Sequence, residues 1–293
     1  MIYLVVAVCC SLGIGIIFKY AALRHLDRVG LLTINYIVAF GVALWALPEP
    51  LAVETFQGYP WTLVTLGIVL GALFILGFFL FAYATHRVGL ALSIGVMRIS
   101  VLIPVLASWL IWSETPSTPQ GLGLLFASGA FYLIAKTEDA AGTQEDVKVS
   151  RRTVFLILFS LFASGGLVDI SLKVFQEGFA KDFSEAAFLL LVFGVAFLIG
   201  TMIVIQQAAR GRRYSLQLIP LGILLGGINY GAAFFLLEAI ERLAGPVVFP
   251  LNSISIVLGG AFLGVYVWDE TLSKANWVGL LMATVALLLI GIG

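Results

Sequence analysis

Residues 61–84 read WTLVTLGIVLGALFILGFFLFAYA, a stretch of 24 residues without a single formal charge. The hydrocarbon core of a bilayer is about 30 Å thick, and a helix needs roughly 20 mostly apolar residues to cross it. A strand of a membrane barrel needs only about ten residues. This stretch therefore predicts a membrane-spanning helix, which satisfies its own backbone hydrogen bonds in lipid.

The whole chain has the composition of a protein built from such stretches. Of its 293 residues, 61% are hydrophobic and 11% carry a charge, whereas about 25% of residues are charged in an ordinary soluble domain. This composition excludes a soluble enzyme and a disordered protein, and the net charge of zero excludes a nucleic-acid partner. We predict an all-α polytopic membrane protein with ten transmembrane helices, at about 2–23, 30–47, 61–86, 89–112, 119–137, 153–175, 186–207, 218–239, 245–268 and 275–293.

The order of the predicted spans indicates two halves, a first five-helix repeat in 1–137 and a second in 153–293, joined by a polar linker in 138–152. Five crossings are an odd number, so the second repeat enters the membrane from the opposite side. This predicts an inverted repeat around a central cavity, as in many secondary transporters. Identical residues recur after 156 positions, or 154 in the first spans, and pair Trp112 with Trp268, Glu114 with Glu270, Thr115 with Thr271 and Lys19 with Lys173.

An ordered set of charged residues and one proline resembles the pattern of a known family. It consists of a lysine late in the first span of each half (Lys19, Lys173), a proline in the fourth span (Pro104) and a glutamate after the fourth and ninth spans (Glu114, Glu270). In this the chain is similar to the drug/metabolite transporter superfamily, specifically its ten-helix EamA-type members. The resemblance implies a basket of helices around a central cavity, peripheral fifth and tenth spans, and export or exchange of small metabolites.

Ionisable residues inside a membrane are costly, so each is a candidate functional residue. Arg98 lies nine residues after Gly89, about 14 Å into its span, and either recognises an anionic substrate or forms a structural ion pair. Asp169 and Lys173 are four residues apart on one helix face. They either neutralise each other, or Asp169 binds a coupling proton or cation or partners Arg98. Lys19 either extends to the interface or faces the cavity.

Uncharged polar residues in the same spans must find partners in lipid. Each either bonds a neighbouring helix or faces a polar cavity. Together with Arg98 they form the predicted substrate-binding set, which comprises Asn35, Tyr36, Tyr83, Asn229, Tyr230, Asn252 and Ser253. Glu114 and Glu270 follow tryptophans, and we expect them to cap the next helix or to pair locally at the interface.

Lysine and arginine are distributed unevenly between the two predicted sides. Eleven lie in odd-numbered connections and three on the other side, so the positive-inside rule predicts termini outside the cell. The family resemblance implies termini in the cytoplasm. The predicted location is the cell (plasma or inner) membrane.

We therefore expect a gradient-driven secondary transporter, an exporter or exchanger of a small polar or amphipathic metabolite, which works by alternating access and uses a proton or cation as its coupling ion. A flippase for a lipid or lipid-linked carrier is the alternative. No nucleotide-binding, hydrolase or metal motif occurs in the sequence, so we predict neither an enzyme nor a cofactor. The substrate and the oligomeric state are not predicted.

Overall fold

The computed structural model describes residues 1–24, 26–48, 58–88, 90–138, 151–269 and 273–292, and within them it contains helices and no strands. Most of the predicted linker, residues 139–150, and Glu270 lie outside this range. The eleven helices are α1 (Ile2–Leu23), α2 (Arg28–Trp45), α3 (Trp61–Val88), α4 (Leu90–Ile99), α5 (Leu102–Trp112), α6 (Thr118–Glu138), α7 (Arg151–Gly178), α8 (Glu185–Ala209), α9 (Leu218–Arg242), α10 (Gly245–Trp268) and α11 (Lys274–Ile292).

Eight of these helices are long and apolar enough to cross a membrane: α1, α2, α3, α7, α8, α9, α10 and α11. The prediction of an all-helical membrane chain is therefore confirmed, with eight of the predicted spans matched. The predicted span 89–112 is divided between α4 and α5. The predicted span 119–137 corresponds to α6, which is long enough to cross but carries Gln120 and three glycines in its first two-thirds. Ten crossings therefore remain a prediction.

The chain divides into two compact units, and the first comprises Met1–Ile75 and Val174–Glu241. Two glycines bring its helices close together by the same type of contact. A β-carbon on Gly71 of α3 would overlap the carbonyl oxygen of Val192 in α8, and one on Gly226 of α9 would lie 2.6 Å from the carbonyl oxygen of Asn35 in α2. Small residues allow this approach of two backbones.

An ionic contact joins two connections at one end of the first unit. Asp27 caps α2 by accepting a hydrogen bond from Gly30 N at 2.7 Å, and its other oxygen accepts one from the guanidinium of Arg212. The connections α1–α2 and α8–α9 therefore lie on the same side of the membrane. An even number of crossings must separate them, which means that α4–α5 and α6 either both cross or both do not.

The second unit comprises Leu76–Lys173 and Arg242–Gly293. Helix α6 packs along α11, where a β-carbon on Gly123 would lie 2.6 Å from the Ile290 side chain and one on Gly129 would lie 2.6 Å from that of Met282. Each unit thus contains segments from both of the repeats predicted from the sequence. The repeats describe sequence similarity, whereas the units describe which helices pack together.

Matching backbone features recur in the second unit at the spacing of the sequence repeat. Ser113 ends α5 and Asp269 ends α10, both in the left-handed conformation, with φ of 58° and 52°. Each donates its N–H to the carbonyl five residues earlier. The following helices begin alike, since Ser117 accepts from Gln120 N at 3.4 Å and Ser273 accepts from Asn276 N at 3.1 Å.

Candidate functional site

The helix formed by α4 and α5 is interrupted at Ser100–Val101, and the sequence explains why. Pro104 has no N–H to give to the carbonyl of Ser100, four residues earlier. That carbonyl instead accepts from Ile103 N at 2.9 Å, and Val101 N donates to Arg98 O at 3.3 Å. The Ser100 hydroxyl donates to the Met97 carbonyl at 2.6 Å. Serine side chains commonly satisfy the backbone groups that a proline releases in a membrane helix.

Helix α7 approaches this interruption through two adjacent glycines. A β-carbon on Gly165 would lie 2.6 Å from the Ser100 hydroxyl, and one on Gly166 would overlap Ile103. Any larger side chain at either position would push α7 away. Asp169 follows Gly165 by one helical turn and therefore shares its face of α7.

Arg98 and Asp169 are both close to this contact along the chain. Arg98 occupies the last turn of α4, two residues before Ser100, and Asp169 lies on α7 four residues after Gly165. Both residues are half-buried. Opposite charges inside a membrane protein pair with each other or face a polar cavity, and a pairing of Asp169 with Arg98 stays a prediction.

Lys173 has a different partner. Its ammonium lies 2.9 Å from Glu114 Oε1, and the other oxygen of Glu114 accepts from the backbone N–H of Gly245 at 2.8 Å. The ammonium also lies 5.3 Å from the centre of the Trp112 ring. The side chain of Lys173 is fully buried. Glu114 therefore links α5, α7 and α10.

One expectation is corrected by these contacts. Lys173 binds Glu114 on another helix, whereas its pairing with Asp169 on its own helix stays a prediction. Glu114 neither pairs locally nor caps the next helix, because Ser117 and Gln120 cap α6 through reciprocal hydrogen bonds. The sequence shows that Lys173 and Glu114 are charged, but nothing in it indicates that these two residues, 59 positions apart, are in contact.

In the first unit, Tyr36 and Tyr230 both contact Phe193. The Phe193 ring lies 6.5 Å from that of Tyr36 and 6.2 Å from that of Tyr230. The Tyr36 hydroxyl donates to the carbonyl of Phe74 at 3.1 Å, which gives this residue a structural hydrogen bond. Phe193 was not predicted, since 22 phenylalanines make any one of them inconspicuous.

Three other residues of the predicted set carry buried polar atoms. Among the residues that the structure describes, no hydrogen-bond partner is found for Asn35 Oδ1, Tyr230 Oη or Asn252 Oδ1. Native proteins satisfy most buried polar atoms, so these three atoms are suited to receive a polar ligand or water.

The remaining predicted residues occupy varied positions. Ser253 is buried and Tyr83 is 47% exposed, with the Arg87 guanidinium 5.4 Å from the Tyr83 ring. Asn229 and Lys19 are half-buried. By unit, the predicted set divides into Lys19, Asn35, Tyr36, Asn229 and Tyr230 in the first, and Tyr83, Arg98, Asp169, Lys173, Asn252 and Ser253 in the second.

Comparison with known proteins shows a recognised fold and no named activity. No family model matches the chain. The chain is 26% identical over 298 residues to an uncharacterized protein of Haemophilus influenzae, a match that covers 97% of this chain and 95% of that protein. A solved structure described only as the crystal structure of a protein superposes with a TM-score of 0.73, at 13% identity, over 99% of this chain and 96% of the other. At this identity the similarity shows the fold alone.

Proposed function

We propose that this chain is a gradient-driven secondary transporter, an exporter or exchanger of a small polar or amphipathic metabolite. The observation that carries the proposal is the interrupted helix α4–α5, with the charged residues Arg98 and Asp169 close to the interruption along the chain. Interrupted helices bear the substrate and ion sites of many secondary transporters. Charges retained inside a membrane, at a considerable cost in free energy, mark such pathways.

The proposed arrangement is ten crossings in two inverted repeats, as in the transporters that the sequence resembles. The recurring helix ends at Ser113 and Asp269, 156 positions apart, support a repeat. The Asp27–Arg212 contact places the α1–α2 and α8–α9 connections on the same side of the membrane. This arrangement is consistent with ten crossings. Such symmetry provides two related conformations, each open to one side of the membrane.

Arg98 is the proposed anchor for an acidic group of the substrate. A guanidinium presents its donors in a planar fork that matches a carboxylate or phosphate. The polar atom of Asn252, in the same unit as Arg98, adds a neutral hydrogen-bonding group.

The test is a thermal-shift screen on the purified protein, because a ligand that binds only the folded state raises its melting temperature. The panel contains amino acids, organic acids, sugar phosphates, nucleosides and quaternary amines. We expect one acidic class to stabilise the wild type and not Arg98→Ala. The matched control is Arg213→Ala, which removes an exposed arginine and should keep the full response. Failure of every soluble compound to stabilise the wild type would contradict the proposal and favour the lipid flippase.

A further inference from the structure

We propose that the end of the first unit that carries Asp27 and Arg212 binds the headgroup of an anionic phospholipid. The surface is formed by the α1–α2 and α8–α9 connections, and we call it the arginine patch. It comprises Arg24, Arg28, Arg210, Arg212 and Arg213. This proposal is independent of the proposed transport function, because it concerns the lipid that surrounds the chain and not a transported compound.

The arginine patch carries an excess of positive charge. Residues 24–28 and 210–217 contain its five arginines and one acidic residue, Asp27. All five arginines are exposed. Asp27 is half-buried, and one of its oxygens accepts from the backbone of α2 while the other binds Arg212. The other four arginines form no ion pair with any residue that the structure describes, so they are available to a negatively charged partner.

The two connections of the patch are bonded to each other and to the helices that they join. The ion pair of Asp27 with Arg212 links one connection to the other. The Tyr214 ring packs against α2, where a β-carbon on Gly30 would lie 2.7 Å from it. The Tyr214 hydroxyl donates to Gln207 Oε1, near the end of α8, at 3.0 Å. The arginines of both connections are therefore presented together, on one surface of defined geometry.

Apolar side chains at the same end of the unit indicate that the patch lies at the boundary of lipid and water. Leu23, directly before Arg24, is 62% exposed, and Leu216 is 80% exposed. The guanidinium of Arg24 lies 5.5 Å from the centre of the Tyr20 ring, and tyrosines are typical of the headgroup level of a membrane. Exposed leucines beside arginines match a molecule that has acyl chains next to its phosphate, which favours a lipid over a soluble phosphate.

The charge of the patch indicates the class of headgroup. A guanidinium fork matches the oxygens of a phosphate, and clusters of basic residues next to membrane helices attract anionic lipids. A zwitterionic phospholipid also has a phosphate, but it carries a positive charge of its own that the arginines repel. The positive-inside rule predicts this side to be cytoplasmic, and the cytoplasmic leaflet carries anionic lipids. The expected ligand is therefore a phospholipid with a net negative charge.

The experiment is native mass spectrometry of the full chain in a neutral detergent, titrated with dioleoyl phosphatidylglycerol or dioleoyl phosphatidylcholine. We expect the first phosphatidylglycerol to bind about tenfold more tightly than phosphatidylcholine. Arg210→Gln/Arg213→Gln should lose about tenfold in affinity for phosphatidylglycerol. The matched control is Lys181→Gln/Lys274→Gln, which removes two exposed basic residues outside the patch and should bind like the wild type. Glycerol 3-phosphate, a soluble phosphate at the same concentration, should not compete.

A further variant tests the geometry of the patch without changing its charge. In Gly30→Ala the new β-carbon must displace the Tyr214 ring and with it the α8–α9 connection. We expect this variant to lose part of its affinity for phosphatidylglycerol although all five arginines remain. Thermal unfolding shows whether it is folded, and Tyr214→Ala is a second variant of unchanged charge if it is not.

Each contrary outcome overturns a stated part of the proposal. Equal binding of the two lipids, or an equal loss in the two double variants, would overturn the site, because net charge would then explain the attraction. Competition by glycerol 3-phosphate would assign the patch to a soluble phosphate and overturn the lipid. Full affinity in both Gly30→Ala and Tyr214→Ala would overturn the defined geometry of the surface. None of these outcomes bears on the transporter proposal.

Discussion

The Nζ atom of Lys173 lies 2.9 Å from Oε1 of Glu114, although the two residues are 59 positions apart in the chain. The lysine side chain is 1% exposed and the glutamate side chain 21%. Removing one member of a buried ion pair costs more free energy than the pair contributes, since the other charge is left without compensation. The contact is therefore a sensitive point for the stability of the second unit.

We expect Lys173→Met and Glu114→Gln each to lower the free energy of unfolding by about 3 kcal/mol. The double variant Glu114→Gln/Lys173→Met should lose less than the sum, because neither charge is then left alone. Thermal unfolding in detergent measures these differences. Lys181→Met, at an exposed lysine, is the matched control and should unfold like the wild type. Additive losses in the double variant would contradict the buried pair.

Gly226 and Gly227 are neighbours with different surroundings, which allows a precise test of helix packing. A β-carbon on Gly226 would lie 2.6 Å from both the Asn35 carbonyl oxygen and the Val38 side chain, whereas a β-carbon on Gly227 would meet nothing within 4 Å. Gly226→Ala should destabilise the protein by about 1–3 kcal/mol through overpacking. Gly227→Ala should be neutral or stabilising by up to about 1 kcal/mol, since alanine favours helix. Equal effects in thermal unfolding would argue against this contact.

Replacing Pro104 should restore the hydrogen bond that its ring removes. In Pro104→Ala the new N–H can donate to the Ser100 carbonyl, which favours a straight helix and displaces Arg98. We expect the fold to persist but the stabilisation by an acidic ligand to fall at least tenfold in apparent affinity, about 1.4 kcal/mol. Pro119→Ala, in the first turn of α6 where the missing N–H matters little, is the control. A full ligand response in Pro104→Ala would show that the interruption is not required for binding.

The distribution of basic residues predicts that the connection containing residues 139–150 lies in the cytoplasm. Cys9 and Cys10 are free thiols, so both are first replaced by alanine, and a single cysteine is introduced by Thr143→Cys. An impermeant maleimide should then label the protein only after the cells are permeabilised. Labelling of intact cells would reverse the predicted orientation and place both termini in the cytoplasm.

Prediction from the sequence succeeded where local properties decide the structure. The uncharged stretch at 61–84 predicted α3, because length and polarity alone determine whether a helix can cross a membrane. The interruption at Ser100–Val101 was not predicted, because 89–112 was predicted as one span and Pro104 was considered only as part of the family pattern. The depth of Arg98 in the membrane, which was counted along its span, stays a prediction.

Prediction was wrong where a partner had to be identified. Glu114 was expected to cap the next helix or to pair locally, yet it binds Lys173 on α7, 59 positions away. The sequence could not place Glu114 against Gly245, 131 positions away, because packing of three helices decides that contact. Phe193 was overlooked because its position between Tyr36 and Tyr230 exists only in the folded chain.

The interruption at Ser100–Val101 also has a mechanical consequence. Beyond it, α5 is held through Glu114 to α7 and α10; before it, α4 packs against α6. The interruption thus divides one predicted span into two segments with different neighbours, with Arg98 on the first segment and Asp169 on a helix joined to the second. A change in the angle between the two segments would change the separation of these two charges.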